Sequence, residues 1–228
     1  MENNVWESLY SSGSYLNRYP WDCVVTFLFR HAGSIGKKLS DLRVLEVGCG
    51  SGSNLWFAAR EGASVAGTDC SPTAIAHAEE RFKAEGLTGE FYCGFLPDMP
   101  ALEPASFDCV IDRGCFAACP PAVIAGSLAA LAGFTKPSGK LLSTFYGTKH
   151  TSCLSGNLQD NGMTDSIKGG SLAGLGPITF VDREGIDKLY GPHWEILKLH
   201  SILEKEVSQS TPTIHDEWHL IASPRRPA

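Results

Sequence analysis

Between Arg43 and Val47 the chain runs through a short, β-branched apolar stretch and then meets Gly48, Gly50 and Gly52, a pattern that constrains its fold more than any other. Such a run suits a buried parallel strand. Glycines at alternate positions allow a turn with dihedrals closed to other residues and leave backbone open to a ligand. A helix from Asn54 to Arg60 would point its free N–H groups and positive dipole end at the same crevice. Ser64 to Thr68 reads as a second strand ending at Asp69, inside Val-Ala-Gly-Thr-Asp-Cys-Ser-Pro. A right-handed crossover sets that strand beside the first, where the Asp69 carboxylate can accept hydrogen bonds from both hydroxyls of a ribose.

Glycine spacing then separates two kinds of nucleotide cofactor. A dinucleotide fold needs its third glycine after two intervening residues, so that a pyrophosphate can sit on the helix start. Here the spacing is G-x-G-x-G, with Glu46 just before it. A carboxylate so close to the turn repels a pyrophosphate but suits a ligand carrying an amino group and a sulfonium charge. On these residues the chain resembles the class I S-adenosylmethionine (SAM)-dependent methyltransferases, whose first motif is an acidic residue followed by G-x-G-x-G. The resemblance spans roughly Asp41 to Tyr146. It implies an α/β fold with a doubly wound, mostly parallel seven-stranded sheet whose last strand is antiparallel. It also implies SAM as cofactor and S-adenosylhomocysteine as product.

Composition narrows the partners. The 228 residues, 43% of them hydrophobic, can bury a full core and fit one domain without a separate substrate domain. A formal charge of -6 without a lysine or arginine run gives a nucleic-acid backbone nothing to land on. The start, Met1 to Tyr19, lacks a secretory pattern, and no apolar stretch is long enough to span a bilayer, so a cytoplasmic protein is expected, as monomer or homodimer. The eight cysteines, Cys23, Cys49, Cys70, Cys93, Cys109, Cys115, Cys119 and Cys153, include no C-x-x-C pair and read as reduced, mostly buried thiols. Cys115 and Cys119 could also form a thiol cluster for a soft ligand.

Along the chain, Trp21, Val24, Val25, Leu28, Phe29 and Ala32 recur at helical spacing, so Asp22 to His31 should be an amphipathic helix started by Pro20. The aromatic segment before it (Trp6, Tyr10, Tyr15, Tyr19) reads as too polar and glycine-broken for a regular element. Ser71-Pro72 predicts a capped helix ending at Gly86, with Ile75, Ala78 and Phe82 inward. Strands are expected at Glu90 to Cys93, Phe107 to Ile111 and Lys140 to Phe145, the last after a turn at Pro137-Ser138-Gly139; Pro120-Pro121 starts the helix between. Lys149 to Pro177, with six glycines and no sustained period, reads as a lid or acceptor-binding insert in which Leu154, Leu158, Met163, Leu172 and Leu175 supply packing. Asp182 caps a short helix to Tyr190, and strands Trp194 to Glu204 and Thr213 to Ser223 form a closing hairpin. The expected layout is a cap segment and helix over 1–36, a SAM-binding core over 41–146, a lid over 147–180 and a C-terminal helix and hairpin over 181–223.

The resemblance assigns cofactor contacts to Glu46 (methionine amino group), Gly48, Cys49, Gly50, Gly52, Asp69, Cys70 and Arg113. Where the family often has a Gly-Asp pair near the adenine, this chain has Gly94-Phe95, so Phe95 or Leu96 should pack on the ring, with Asp98 a further candidate. In many small-molecule methyltransferases an N-terminal segment folds over the cofactor and walls the acceptor pocket, which points to Tyr15 and Tyr19. Ligands of parallel sheets bind at the carboxyl ends of strands, so Asp112 and Arg113 project toward the site. Methyl transfer from a sulfonium needs alignment and a dry pocket more than a base, although a hydroxyl acceptor often needs one. Asp112, Tyr146 and His150 are the catalytic candidates, with Arg113 and Tyr146 lining the acceptor. His31, His193, His200, His215 and His219 read as structural. No metal-ligand spacing stands out, and Asp112-Arg113-Gly114-Cys115 stands where the family's Asn-Pro-Pro-Tyr motif would direct transfer to amide or exocyclic nitrogens. The reading is methyl transfer to an N, O or S atom of a small molecule; a protein methyltransferase and a noncatalytic SAM-binding sensor or subunit are the alternatives.

Overall fold

A computed structural model describes residues 4–96, 102–208 and 210–225. The chain forms two compact units, Met1–Ile111 with Gly133–Leu142 and Asp112–Ala132 with Ser143–Ala228. In the first unit, helices α1 (Asn4–Ser11) and α2 (Asp22–Ser34) precede strand β1 (Arg43–Val47), helix α3 (Ser53–Arg60), strand β2 (Ser64–Asp69), helix α4 (Pro72–Ala84) and strand β3 (Glu90–Cys93). β4 (Phe107–Arg113), α5 (Pro121–Phe134) and β5 (Thr135–Tyr146) follow, each with residues in both units. The second unit continues with α6 (Thr151–Leu154), the two-residue strands β6 (Asn157–Leu158) and β7 (Thr164–Asp165), α7 (Arg183–Tyr190), β8 (Trp194–Glu206) and β9 (Thr213–Pro224). The main sheet is ordered β3-β2-β1-β4-β5-β9-β8. β1, β2 and β3 pair in parallel, and β8 with β9 antiparallel.

The strands form where the apolar runs stand: Val44, Leu45, Val65, Ala66, Val110 and Ile111 are all buried. α4 starts as its sequence dictates, with the Ser71 hydroxyl accepting from the Ala74 N–H and Pro72 in the first turn. α7 likewise starts on Asp182, which accepts from the Gly185 N–H at 2.8 Å.

Five expectations need correction. The N-terminal aromatic segment holds a regular helix, α1, because Trp6 and Tyr10, one turn apart, share a face with their rings 6.5 Å apart. The buried stripe of α2 is Val24, Phe27, Leu28, His31 and Ala32, while Trp21 and Phe29 are exposed, so the inward face is rotated from the one the aromatics suggested. α5 runs directly into β5, and Pro137 to Gly139 lie inside that strand rather than in a turn before it. Between Lys149 and Pro177, Met163 and Leu172 are buried as expected, but Leu154 and Leu158 are 73% and 76% exposed. The cysteines are all free, yet only Cys49 and Cys109 are buried, and Cys93 is exposed.

Candidate functional site

At the end of β1 the backbone turns through Gly48, Gly50 and Gly52 at φ of 63°, 53° and 75°. Side chains strain the backbone there, so the turn requires glycine. It is stitched to β2 by the Cys49 N–H donating to the Thr68 carbonyl at 2.9 Å, and the Trp56 N–H donates to the Gly52 carbonyl at 2.7 Å to begin α3. Cys49 packs inward over Gly67, where a Cβ would come within 2.7 Å of the Cys49 sulfur. Burial pushes the Cys49 thiol well above its ordinary range. What Cys49 presents to a ligand is backbone.

Two buried carboxylates flank this turn. Glu46 is 2% exposed and its Oε1 accepts from Asn54 Nδ2 at 2.6 Å; Asn54 Oδ1 in turn accepts the Trp21 N–H at 3.0 Å. Asp69 is 8% exposed, with Oδ2 accepting the Gly50 N–H and Oδ1 the Ser71 N–H, each at 2.9 Å. Burial pushes the Asp69 carboxyl up, and those two N–H groups oppose the shift. Asp69 thus ties the glycine turn to the cap of α4, with the Cys70 thiol and N–H also helping to hold its carboxylate. The Gly94 N–H donates to the Asp69 carbonyl at 2.8 Å, which brings the segment of Phe95, half-buried, and Leu96, buried, to the end of β2. Cys70 is half-buried and its carbonyl takes the Cys93 thiol at 3.7 Å. Asp98 lies outside the described residues.

The N-terminal aromatics divide. Tyr15 is half-buried and meets Trp6 edge-on at 5.6 Å, whereas Tyr19 is 69% exposed. Sequence reasoning missed Glu7, whose carboxylate accepts the hydroxyls of Ser71 and Thr73, both at 2.5 Å. Hydrogen bonds from Ser71 and then Thr73 hold its carboxyl down to about 2. A first-turn acid at helical spacing with Tyr10 and Ser11 was the available signal.

The second unit holds the other candidates. Asp112 is fully buried; its Oδ1 accepts the Phe116 N–H at 3.1 Å, its Oδ2 accepts the Ser143 hydroxyl, and Ser143 meets the Tyr190 hydroxyl at 2.6 Å. Burial pushes its carboxyl up to about 6. This geometry suits a turn cap. Arg113 reaches Thr144 Oγ1 at 3.1 Å and Glu217 Oε1 at 3.0 Å. Tyr146 and His150 do come together, with rings edge-on at 5.6 Å, and His215 joins both at 5.8 Å and 5.0 Å.

Hydrogen bonding fixes the polarity of this group. His150 Nδ1 accepts the Ser152 N–H at 3.0 Å, so in the neutral ring the proton sits on Nε2, facing His215 Nδ1 at 3.2 Å. His215 then carries its proton on Nε2, which lies 3.7 Å from Glu217 Oε2. Glu217 Oε2 is also 2.9 Å from His219 Nε2. Burial, reinforced by His215, pushes His150 down to about 4, while the neighbouring Glu217 carboxylate raises His215. Against the burial that would raise it, the neighbouring His215, the hydrogen bond from His219 and the Arg113 charge hold the Glu217 carboxyl far below its ordinary range. His150 is 1% exposed, whereas the His215 side chain is 33% exposed. His215, which its place on a terminal strand made look structural, and Glu217, which the sequence reading did not single out, are therefore the missed members of this cluster. Among the described residues, no group of three or more His, Cys, Asp or Glu is placed to hold a metal ion, and no helix is long and apolar enough to cross a membrane.

Residues 44–139 match the family described as "Methyltransferase domain". Over 104 residues the chain is 35% identical to the ubiquinone biosynthesis O-methyltransferase of Xylella fastidiosa (strain 9a5c), covering 45% of this chain and 41% of that protein. Over 84 residues it is 34% identical to the protein of that name from Chromobacterium violaceum, covering 37% of this chain and 34% of the relative. The chain spans from 34% to 41% of the length of the curated relatives it matches. Among solved structures, the 1,6-didemethyltoxoflavin-N1-methyltransferase of Burkholderia thailandensis, with bound 1,6-didemethyltoxoflavin and S-adenosylhomocysteine, superposes with a TM-score of 0.66 at 15% identity, over 98% of this chain and 87% of that one.

Proposed function

With residues 44–139 a methyltransferase domain on the class I SAM-dependent fold, we propose that this chain moves a methyl group from SAM to an N, O or S atom of a small molecule. One observation carries the proposal: two buried carboxylates, Glu46 and Asp69, flank a turn of three left-handed glycines. That donor set fits SAM. Glu46 offers a negative charge to the methionine ammonium, the glycine turn admits the cofactor without a Cβ in the way, and the Asp69 carboxylate at the end of β2 is an acceptor for ribose hydroxyls. A pyrophosphate would meet the Glu46 charge instead. When bound, SAM supplies an electrophilic methyl group on a sulfonium, and the chain's part is to bind, orient and exclude water.

Acceptor handling is assigned to the second unit's cluster of Arg113, Tyr146, His150 and His215. In this reading His215 is the partly exposed ring beside the acceptor, and its Nδ1 serves an acceptor hydroxyl as base only by exchanging its bond from the His150 Nε2–H. His150 fixes its tautomer, Glu217 favours its protonated form, and Asp112 holds the turn after β4. The substrates of the ubiquinone and toxoflavin enzymes make small aromatic hydroxyls and ring nitrogens the first acceptors to try. The test is a transfer assay with methyl-labelled SAM against small hydroxyl, amine and thiol acceptors and against unfolded peptides. Label on a small molecule is expected; label on peptides alone, or SAM binding with no transfer to any acceptor, would move the chain to one of the two alternatives.

A further inference from the structure

The main sheet ends on β8, which pairs with β9 on one side; among the described residues no strand lies on its other side. Edge strands are usually kept short, bent or broken by proline, because their free N–H and C=O groups template another strand. A bulge between Ile196 and Lys198 interrupts the first part of β8, but from Lys198 to Glu206 the ladder runs in unbroken register without a proline. That stretch is poorly covered: Leu203 is 55% exposed, and Leu199 and Ile202 are only half-buried. Its charges follow a pattern. In Lys-Leu-His-Ser-Ile-Leu-Glu-Lys-Glu, Lys198 and Glu206 stand at equal distances on either side of Ile202, and so do His200 and Glu204.

We propose that β8 is a self-recognition edge, where a second copy of this chain adds its own β8 antiparallel about a twofold axis through Ile202. An axis perpendicular to the sheet keeps the two faces matched, so the paired residues must share parity along the strand. One face then carries Lys198 opposite the partner's Glu206, His200 opposite the partner's Glu204 and Ile202 opposite the partner's Ile202, and each unlike pair occurs twice. On the other face Ser201 meets the partner's Leu203, and Leu199 meets the stem of the partner's Lys205. Moving the centre to Ser201 sets His200 opposite the partner's Ile202 and pushes Lys205 and Glu206 across the bulge; moving it to Leu203 sets Ile202 opposite the partner's Glu204. Charges that turn other strands away thus favour this one. The pairing forms about eight to ten backbone hydrogen bonds. It also reaches the acceptor cluster, because Ile202 stands opposite Glu217 and Glu204 opposite His215 in the β8–β9 ladder, so a third strand stiffens the hairpin that carries both. No part of the pairing involves the cofactor turn.

Sedimentation equilibrium of the purified protein at about 1 to 200 μM reads the pairing. A dimer of twice the 24.5 kDa chain is expected, with a Kd on the order of 10 μM, the strength of a small, transient interface. Lys198→Glu and Glu206→Lys each set like charges opposite one another twice and should weaken the dimer about tenfold or more. The double swap Lys198→Glu with Glu206→Lys should restore Kd to within about threefold of the wild type. Ile202→Lys places two ammonium groups on the axis and should leave a monomer; Lys198 and Glu206 are both exposed, so the charge variants keep the test open if this one folds poorly. In the wild type, amide exchange in residues 198–206 should slow as the concentration rises through the Kd. A wild type still monomeric at about 200 μM overturns the proposal. So does a dimer that none of the single substitutions weakens, that the double swap fails to restore, or that leaves exchange in β8 unchanged.

Discussion

Replacing Asp69 with alanine removes an acceptor that two backbone N–H groups share, and the structure sets the size of the effect. The bonds from Gly50 and Ser71 are both 2.9 Å long, on a side chain only 8% exposed. A buried N–H left without a partner costs about 1 to 3 kcal/mol. Two of them would cost about 2 to 6 kcal/mol, but relief of the buried carboxylate's own desolvation offsets part, so a net loss of about 1 to 3 kcal/mol of folding stability is expected. Ligand affinity should fall independently, because the ribose hydroxyls lose their acceptor: about 1 to 3 kcal/mol, or roughly 5- to 150-fold in Kd. Thermal unfolding and isothermal titration with SAM on the same preparation separate the two effects. Lower stability with unchanged SAM affinity would refute the argument, since it would make Asp69 a clamp of the glycine turn and nothing more.

Gly50→Val should abolish SAM binding, because a β-branched residue is strained at φ 53° and its Cβ meets the Tyr10 hydroxyl; a normal titration would defeat the turn assignment. Glu46→Gln keeps an acceptor for Asn54 but loses the charge, so SAM affinity should drop about 10- to 100-fold while a ligand without the methionine amino group is bound as before. Asp108 and Asp112, both buried on β4, should shape pH stability in opposite senses. Against its burial, Lys136, the Arg43 N–H and Lys37 hold Asp108 below its ordinary value, so its stabilisation is present at neutral pH and lost as pH falls through that lowered pKa. Asp112, raised by burial to about 6, gives stability that is full below the unfolded value of 3.8 and lost as pH rises through 6. Asp112→Asn should therefore gain on the wild type in thermal unfolding between pH 5 and 7, while Asp108→Asn should lose about 1 to 2 kcal/mol at pH 7 and less at pH 3; a parallel shift of both variants at every pH would contradict this.

Much of the first unit could be read in advance because its signals are local. Three glycines that must turn left-handed, a serine and proline that must begin a helix, and apolar runs of strand length each fix a conformation within a few residues. Glu46 and Asp69 were legible for the same reason, each being tied to a motif position. Glu7, His215 and Glu217 were not, because Glu7 and His215 find Ser71 and His150 64 and 65 residues away and Glu217 finds Arg113 on another strand, pairings that exist only after folding. Asp112 was found by its place at a strand end, but its burial and its Ser143 partner 31 residues on are tertiary facts. The inward face of α2 was misjudged because Trp21 and Phe29 are as apolar as Phe27, and periodicity alone does not say which aromatic faces the core.

Isothermal titration of the purified protein with SAM, S-adenosylhomocysteine and NADH in parallel tests the central claim most directly. Saturable micromolar binding of both adenosyl ligands and none of NADH is the result the Glu46, glycine-turn and Asp69 geometry predicts. Binding of NADH, or no binding of either adenosyl ligand, would contradict it.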